Sequence, residues 1–269
     1  MGTIVSRRAR IAWAALALAA CCAATVHASE EVPFISSPDA VTLEMLRSAD
    51  VKPMDFVIDL GSGDGRIVIT AARLFGARGL GIEIVPELVL KSRDNARRAG
   101  VEGRAEFREQ DLFRTDLAQA SVVTLYLLPE VNLQLRPSLL ALKPGTRIVS
   151  HDWDMGDWRP DRTTELDVPE KQVGREKKSR VHLWIVPARV AGRWCGAGAM
   201  RDARLSIEQR HQFYRGTLRQ ATGSSRIEGV VRGNELRPAE GRGALALRLE
   251  GDSLQQVGGQ GRSGAFHRC

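Results

Sequence analysis

The sequence predicts an α/β protein: an open, mostly parallel sheet with crossover helices, followed by a small antiparallel β domain. Three observations predict it. The run Phe56-Val57-Ile58-Asp59-Leu60-Gly61-Ser62-Gly63-Asp64-Gly65-Arg66 joins a short apolar strand to a tight glycine loop and a helix start. Short apolar runs then alternate with helical patterns up to about residue 151. Composition changes near residue 189: residues 189–269 hold 14 Arg, no Lys and 7 acids, with many glycines and only short strand-like pieces.

At 269 residues the chain holds one medium domain and a small one, and 43% hydrophobic residues suffice for a core. The formal charge is +7 and the pI about 9.7. Such a balance hints at nucleic acid or an anionic membrane. No basic run with interleaved aromatics appears, so nucleic acid is not the expected partner. No metal-ligand spacing, Ser-His-Asp set or repeat stands out.

Residues 1–28 read as an export signal. Arg7, Arg8 and Arg10 form a positive start, Ile11 to Val26 is apolar, and Val26-His27-Ala28 fits a cleavage site. Leu18-Ala19-Ala20-Cys21 also fits a bacterial lipobox, which would lipidate Cys21, and Ser6-Arg7-Arg8 faintly fits a twin-arginine signal. The expected location is periplasmic or lipid-anchored if the signal is used, and otherwise inner-membrane-anchored or cytoplasmic. Residues 29–188 form the α/β domain and 189–269 the small β domain.

Pro33-Phe34-Ile35-Ser36-Ser37-Pro38 leads into a helix reaching about Ala49, which Ser37 can cap and Pro38 can start. The segment either caps a helix or closes over a ligand. Val57, Ile58 and Leu60 make a strand buried on both faces. The three glycines let backbone approach a ligand, and the helix from Arg66 to Phe75 presents free N–H groups. Dinucleotide loops read G-x-G-x-x-G. Here the order is G-x-G-x-G, with Asp59 before it and Asp64 inside it. Two carboxylates would repel a pyrophosphate and suit a ligand carrying ammonium and sulfonium centres. The pattern resembles motif I of the seven-strand S-adenosylmethionine (SAM) methyltransferases, which have a Rossmann-like sheet.

Gly79 to Ile84 is the second strand. Glu83 at its carboxyl end is placed to bond two ribose hydroxyls, or is only solvated. Pro86 to Ala99 is a helix stopped by Gly100. Ala105 to Phe113 is read as the third strand. Asp111 past its end contacts an adenine amino group, with the Leu112 N–H serving the ring, or it only caps a turn. Val122 to Pro129 is the fourth strand and its exit. Nucleobase-amine methyltransferases often carry Asn/Asp-Pro-Pro-Tyr here. The sequence Leu125-Tyr126-Leu127-Leu128-Pro129 lacks the amide or carboxylate that holds a planar amine. Val131 to Leu142 is a helix and Thr146 to His151 a fifth strand. Asp152-Trp153-Asp154-Met155-Gly156-Asp157-Trp158 follows as a polar, aromatic loop, where Trp153 and Trp158 either flank a cationic side chain or cover the sheet edge. Thr163–Val168 and Val181–Val186 are strands six and seven, an antiparallel pair around a Glu170–Arg180 loop.

Together, the segment 33–38, motif I through Ile69 and the Leu-Pro exit resemble one branch of the SAM methyltransferases. That branch holds the mitochondrial lysine methyltransferases that modify the ATP synthase c-ring protein and the adenine nucleotide translocase, with their bacterial relatives. The resemblance covers about residues 33–187. It implies a SAM site of Phe34, Ser37, Asp59, Gly61, Ser62, Gly63, Asp64, Gly65, Glu83, Asp111 and Leu112. It suggests N-methylation of a protein lysine, with Tyr126, His151 and Asp152 as candidates to take the proton of the amine. A small-molecule or lipid methyltransferase, and a SAM-binding protein whose β domain is an interaction module, are the alternatives. In the β domain, Gly233-Asn234 and Gly251-Asp252 signal hairpins of a meander, a partial barrel. Cleavage after Ala28 leaves Cys195 and Cys269, either a disulfide joining first and last strands or two unrelated thiols.

Overall fold

A computed structural model describes residues 35–171, 176–239, 245–257 and 264–269. The export-signal reading and Phe34 lie outside the described residues. Among the described residues no helix is long and apolar enough to cross a membrane.

Helix α1 (Asp39–Ser48) opens the described chain. Strands and helices then alternate: β1 (Phe56–Leu60), α2 (Arg66–Phe75), β2 (Arg78–Glu83), α3 (Pro86–Arg98), β3 (Ala105–Glu109), β4 (Val122–Leu125), α4 (Pro129–Leu139) and β5 (Arg147–His151). An antiparallel pair closes the sheet, β6 (Arg162–Asp167) and β7 (Lys178–Ile185). The order is β3-β2-β1-β4-β5-β7-β6. Order reverses between β1 and β4, and at such a point the strand ends open into a crevice. The apolar run of β1 serves both faces. Ile58 and Leu60 pack with Leu125, Ile148 and Trp184, while Val57 packs with Met45 and Leu46 of α1 and Ala71 of α2.

Four expectations are corrected here. Ser37 does not cap α1: the N-cap is Pro38, without a side-chain cap bond, and the Ser37 hydroxyl lies 2.8 Å from His151 Nδ1. The third strand ends at Glu109, and Leu112–Arg114 is a 3-10 turn capped by Asp111. Helix α4 begins two residues earlier than read, at Pro129, a position where proline's missing N–H costs nothing. Strand β7 begins at Lys178, inside the stretch read as a loop: Lys178, Ser179 and Arg180 pair with Asp167, Leu166 and Glu165 of the edge strand β6, and their own polar side chains conceal the strand pattern.

The C-terminal strands are β8 (Gly192–Gly198), β9 (Arg204–Arg210), β10 (Phe213–Gln220), β11 (Gly223–Arg232), β12 (Glu235–Pro238), β13 (Leu247–Glu250), β14 (Ser253–Gln256) and β15 (Gly264–Arg268). They form a closed barrel rather than a partial one, β15 returning antiparallel to β8. Trp194, Leu205, Ile207, Leu236, Leu254 and Phe266 fill it. His267 pairs with Cys195 across the closing seam, and Cys195 and Cys269 form a disulfide with a Cα separation of 5.1 Å.

Closure depends on bare backbone where strands press together. A Cβ at Gly216 would lie 2.0 Å from the Ser206 carbonyl oxygen, and one at Gly229 2.1 Å from that of Arg237. Gly216→Val is therefore expected to destabilise the barrel by ~3 kcal/mol or more in denaturant unfolding; an unchanged midpoint would refute this packing.

Candidate active site

The glycine loop follows β1 directly. Gly61, Gly63 and Gly65 have φ of 75°, 54° and 81°, the left-handed region that other residues enter at a cost. Space is lacking as well: a Cβ at Gly65 would meet the Phe107 ring at 2.6 Å and Ser92 at 2.8 Å. Three carboxylates line the carboxyl edge of adjacent strands: Asp59 in β1, Glu83 ending β2 and Asp111 just past β3. Glu83 ties the loop down, accepting from the N–H of Gly63 at 2.9 Å, Ile84 at 2.8 Å and Val85 at 3.0 Å. Asp111 accepts from Phe113 N–H at 2.8 Å with one oxygen, so it does cap a turn. Leu112, the next residue, is half-buried. The Ser62 hydroxyl is buried without a partner.

Asp59 and Asp64 differ. Asp64 is clamped by the guanidinium of Arg66, at 2.8 and 3.0 Å, which holds its pKa below the usual carboxylate range against the opposing effect of burial. Asp59 is 2% exposed and accepts only a hydroxyl bond among the described contacts, from Thr124 at 2.7 Å. Burial pushes its pKa up to about 7, helped by the charges of Glu83 and Asp64. Among the described residues such a carboxyl has no cation beside it, a place that a ligand amine or sulfonium would fill. These residues fit SAM.

The acceptor side lies beyond β4 and β5. Gly61 packs under Leu127, whose Cδ2 would be 2.7 Å from a Cβ there, so the Tyr126–Leu128 exit lies against the glycine loop. The Tyr126 ring stacks on His151 with centroids 4.0 Å apart. His151 is fully buried. Its Nδ1 meets Ser37 Oγ at 2.8 Å and its Nε2 meets Ser179 Oγ at 3.0 Å. Burial pushes its pKa down to about 4, so at neutral pH it is an uncharged, fully engaged ring. Burial and the Asp152 charge raise the Tyr126 pKa and keep the phenol protonated. Asp152 has φ of 63°, accepts from Arg180 N–H at 2.8 Å and holds the ammonium of Lys171 at 2.8 Å. Of the two tryptophans, Trp153 is 43% exposed, whereas Trp158 is fully buried against Trp184 and, among the described residues, has no guanidinium or ammonium over its ring. Its large apolar ring is worth more in the core.

The model of the ANTKMT methyltransferase domain matches residues 59–162. A protein-lysine N-methyltransferase of Saccharolobus islandicus (strain REY15A) is 41% identical over 138 residues, covering 51% of this chain and 86% of that relative. This chain belongs to the same family of methyltransferases. An adenine nucleotide translocase lysine N-methyltransferase of Mus musculus is 33% identical over 131 residues, covering 48% of this chain and 57% of that protein, so the chain spans little more than half of that relative. Among solved structures, an RNA methyltransferase from Salinibacter ruber in complex with S-adenosyl-L-homocysteine is 52% identical. Its TM-score is 0.53, with 58% of this chain and 96% of that chain covered.

The chain is thus a SAM-dependent methyltransferase of this family, and the geometry above shows which predicted residues meet. Asp59, the glycine loop and Glu83 converge. Tyr126, His151, Asp152 and Ser37 form one contact chain, which the Arg66 bond to the Ser37 carbonyl at 2.8 Å joins to the glycine loop. Sequence reasoning missed Arg66, Thr124, Lys171 and Ser179. Thr124 left a trace, as a polar residue inside the apolar β4 run. Glu83→Gln replaces an acceptor by an amide that faces the Gly63 N–H. It is expected to weaken SAM by ~1.5–3 kcal/mol in calorimetry, and unchanged affinity would leave Glu83, which is buried rather than solvated, with only the role of fastening the loop.

Proposed function

We propose that this methyltransferase transfers the methyl group of SAM to the side-chain amine of a protein lysine. The supporting observation is Asp152: its carboxylate, beside Tyr126 at the cofactor edge, already carries a lysine ammonium, that of Lys171 at 2.8 Å. The names of the archaeal and mouse relatives agree with a lysine acceptor. The Salinibacter structure is named an RNA methyltransferase. Here the exit Leu125-Tyr126-Leu127-Leu128-Pro129 offers no side-chain amide or carboxylate for a planar nucleobase amine, which favours lysine.

Bound SAM supplies an electrophilic methyl group on a cationic sulfur. The chain supplies placement: orientation contributes ~7–11 kcal/mol to such a displacement. Asp59 binds a cationic group of the cofactor, Glu83 its ribose and Asp111 its adenine. Asp152 receives the incoming ammonium in place of that of Lys171 and passes its proton to water, since it is the one carboxylate among the three candidates and is partly open. Tyr126 orients the amine through its neutral hydroxyl. His151 positions Tyr126 and takes no proton itself. The N-terminal pattern of residues 1–28 supports export, with a membrane tie through the signal or a lipid on Cys21. The disulfide suits an oxidising compartment.

Radiolabelled SAM added to envelope, soluble, lipid and RNA fractions tests the reading. Label is expected in protein, as methyl-lysine. Label confined to solvent-extracted lipid or to RNA would replace the reading with that acceptor class.

A further inference from the structure

We propose that the tip of the β9–β10 hairpin and the loop after β5 form a docking site for an acidic segment of the protein substrate, an inference that rests on the lysine reading above. A pocket of about 500 Å³ lies where the two meet, lined by Gly156, Asp157, Arg159, Arg210, His211 and Phe213. Its charge is unbalanced. The one lining carboxylate, Asp157, takes Arg136 at 2.5 Å, Arg210 at 2.8 Å and His211 at 3.4 Å, and Arg159 adds a third guanidinium. The guanidinium pairs hold Asp157 ionised, with its pKa pushed down to about 2. Two further carboxylates fit beside these arginines before the charges balance.

The hairpin is fastened here. Gln212 Nε2 donates to the Arg159 carbonyl at 2.5 Å, and Gln209 Nε2 to that of His211 at 2.8 Å, which holds His211 at a φ of 51°. Trp158 and Gln212, chain neighbours of the lining residues, are 0% and 2% exposed. Each has a buried polar atom without a partner, Nε1 and Oε1 respectively. The hairpin side of the pocket is therefore a fastened surface.

The pocket also connects to the acceptor side. Gly156 follows Asp152 by four residues and packs against Leu133, whose Cδ2 would be 2.9 Å from a Cβ there. Leu128, Leu133 and Trp153, each 43–44% exposed, lie on the segments that follow β4 and β5, and Phe213, also 44% exposed, lies at the pocket. A substrate segment that sets its lysine at Asp152 thus meets apolar side chains first and arginines next. The occupant is acidic because the chain carries +7 overall and residues 189–269 hold twice as many arginines as acids. The barrel, on this inference, supplies specificity to a catalytic sheet built like those of its relatives.

Fluorescein-labelled peptides with a single lysine test it, with Asp/Glu flanks, matched Asn/Gln flanks or matched Arg flanks. Anisotropy reads binding and SAM turnover reads kcat and KM. The full-length wild type is expected to bind the acidic peptide at least tenfold more tightly than the neutral one, with the difference in KM. The Arg159→Glu/Arg210→Glu double variant, altered only at exposed side chains, is expected to lose that preference and to favour Arg flanks. Phe213→Ala is expected to weaken all three peptides several-fold. No wild-type preference, an unaltered preference in the double variant, or tighter retention of an RNA oligonucleotide than of the acidic peptide would overturn the proposal. If no peptide is methylated but anisotropy gives the expected pattern, the docking site stands and the lysine reading falls.

Discussion

Asp59→Asn is expected to abolish the pH dependence of SAM binding and to weaken that binding at least tenfold at neutral pH. Asp59 is buried, bonded to Thr124, and pushed up to about 7 chiefly by burial. A cationic ligand needs the carboxylate, so binding below pH 7 must expel its proton. Affinity then rises with pH and flattens above about 7. Stability of the free protein runs the other way. The folded pKa exceeds the usual 3.8, so the stability gained from the neutral acid is complete below 3.8 and is lost as pH rises to about 7. The loss is roughly 4 kcal/mol at most. Asparagine keeps the shape without the charge, so the ligand-free variant should be the more stable protein at pH 8. Calorimetry at pH 6 in two buffers of different ionisation heat checks both halves. Near one proton should leave on binding to wild type and none with the variant. A wild type that releases no proton would mean that Asp59 does not face the cation.

The second large effect is expected from the barrel disulfide. Cys195 and Cys269 are 74 residues apart in sequence, and a loop of that length is worth roughly 4 kcal/mol by chain entropy. Reduction, or Cys269→Ala, should lower the barrel's unfolding free energy by that amount, while SAM affinity, which we assign to β1, β2 and β3, is expected to stay as it was. Mass spectrometry of non-reduced protein finding two free thiols would end the argument.

How much of this was legible in the sequence follows from chain distance. The glycine loop, Asp59 and Glu83 were readable because backbone chemistry within some 30 residues dictates them. The strand–helix alternation and the antiparallel pair after β5 were readable as well, whereas the order in which the strands lie in the sheet comes from the structure. The partner of Asp59 was not readable: Asp59 pairs with Thr124 only once β4 lies beside β1. The Ser37–His151–Ser179 chain joins segments 114 and 28 residues apart, and no local pattern marks a serine for that task. Whether Trp158 flanks a cation or covers the sheet edge stayed open in the sequence, because aromatic residues in a loop carry no sign of burial; in the fold it is buried against Trp184. Barrel closure was hidden in β8, whose Gly192-Arg193-Trp194-Cys195-Gly196-Ala197-Gly198 has the glycine content of a linker, and in the four-residue β12.

The closed barrel has one more consequence. Hydrogen bonds close its circumference from β15 to β8, and sulfur closes its contour from Cys195 to Cys269. Topologically it is a ring with a single tether. One protease cut at any turn between those cysteines leaves both pieces attached, and the denatured, non-reduced molecule gains only the mass of one water. Two bands appear only after reduction, so a nicked population stays in one band on a non-reducing gel, where only the added mass of water betrays it.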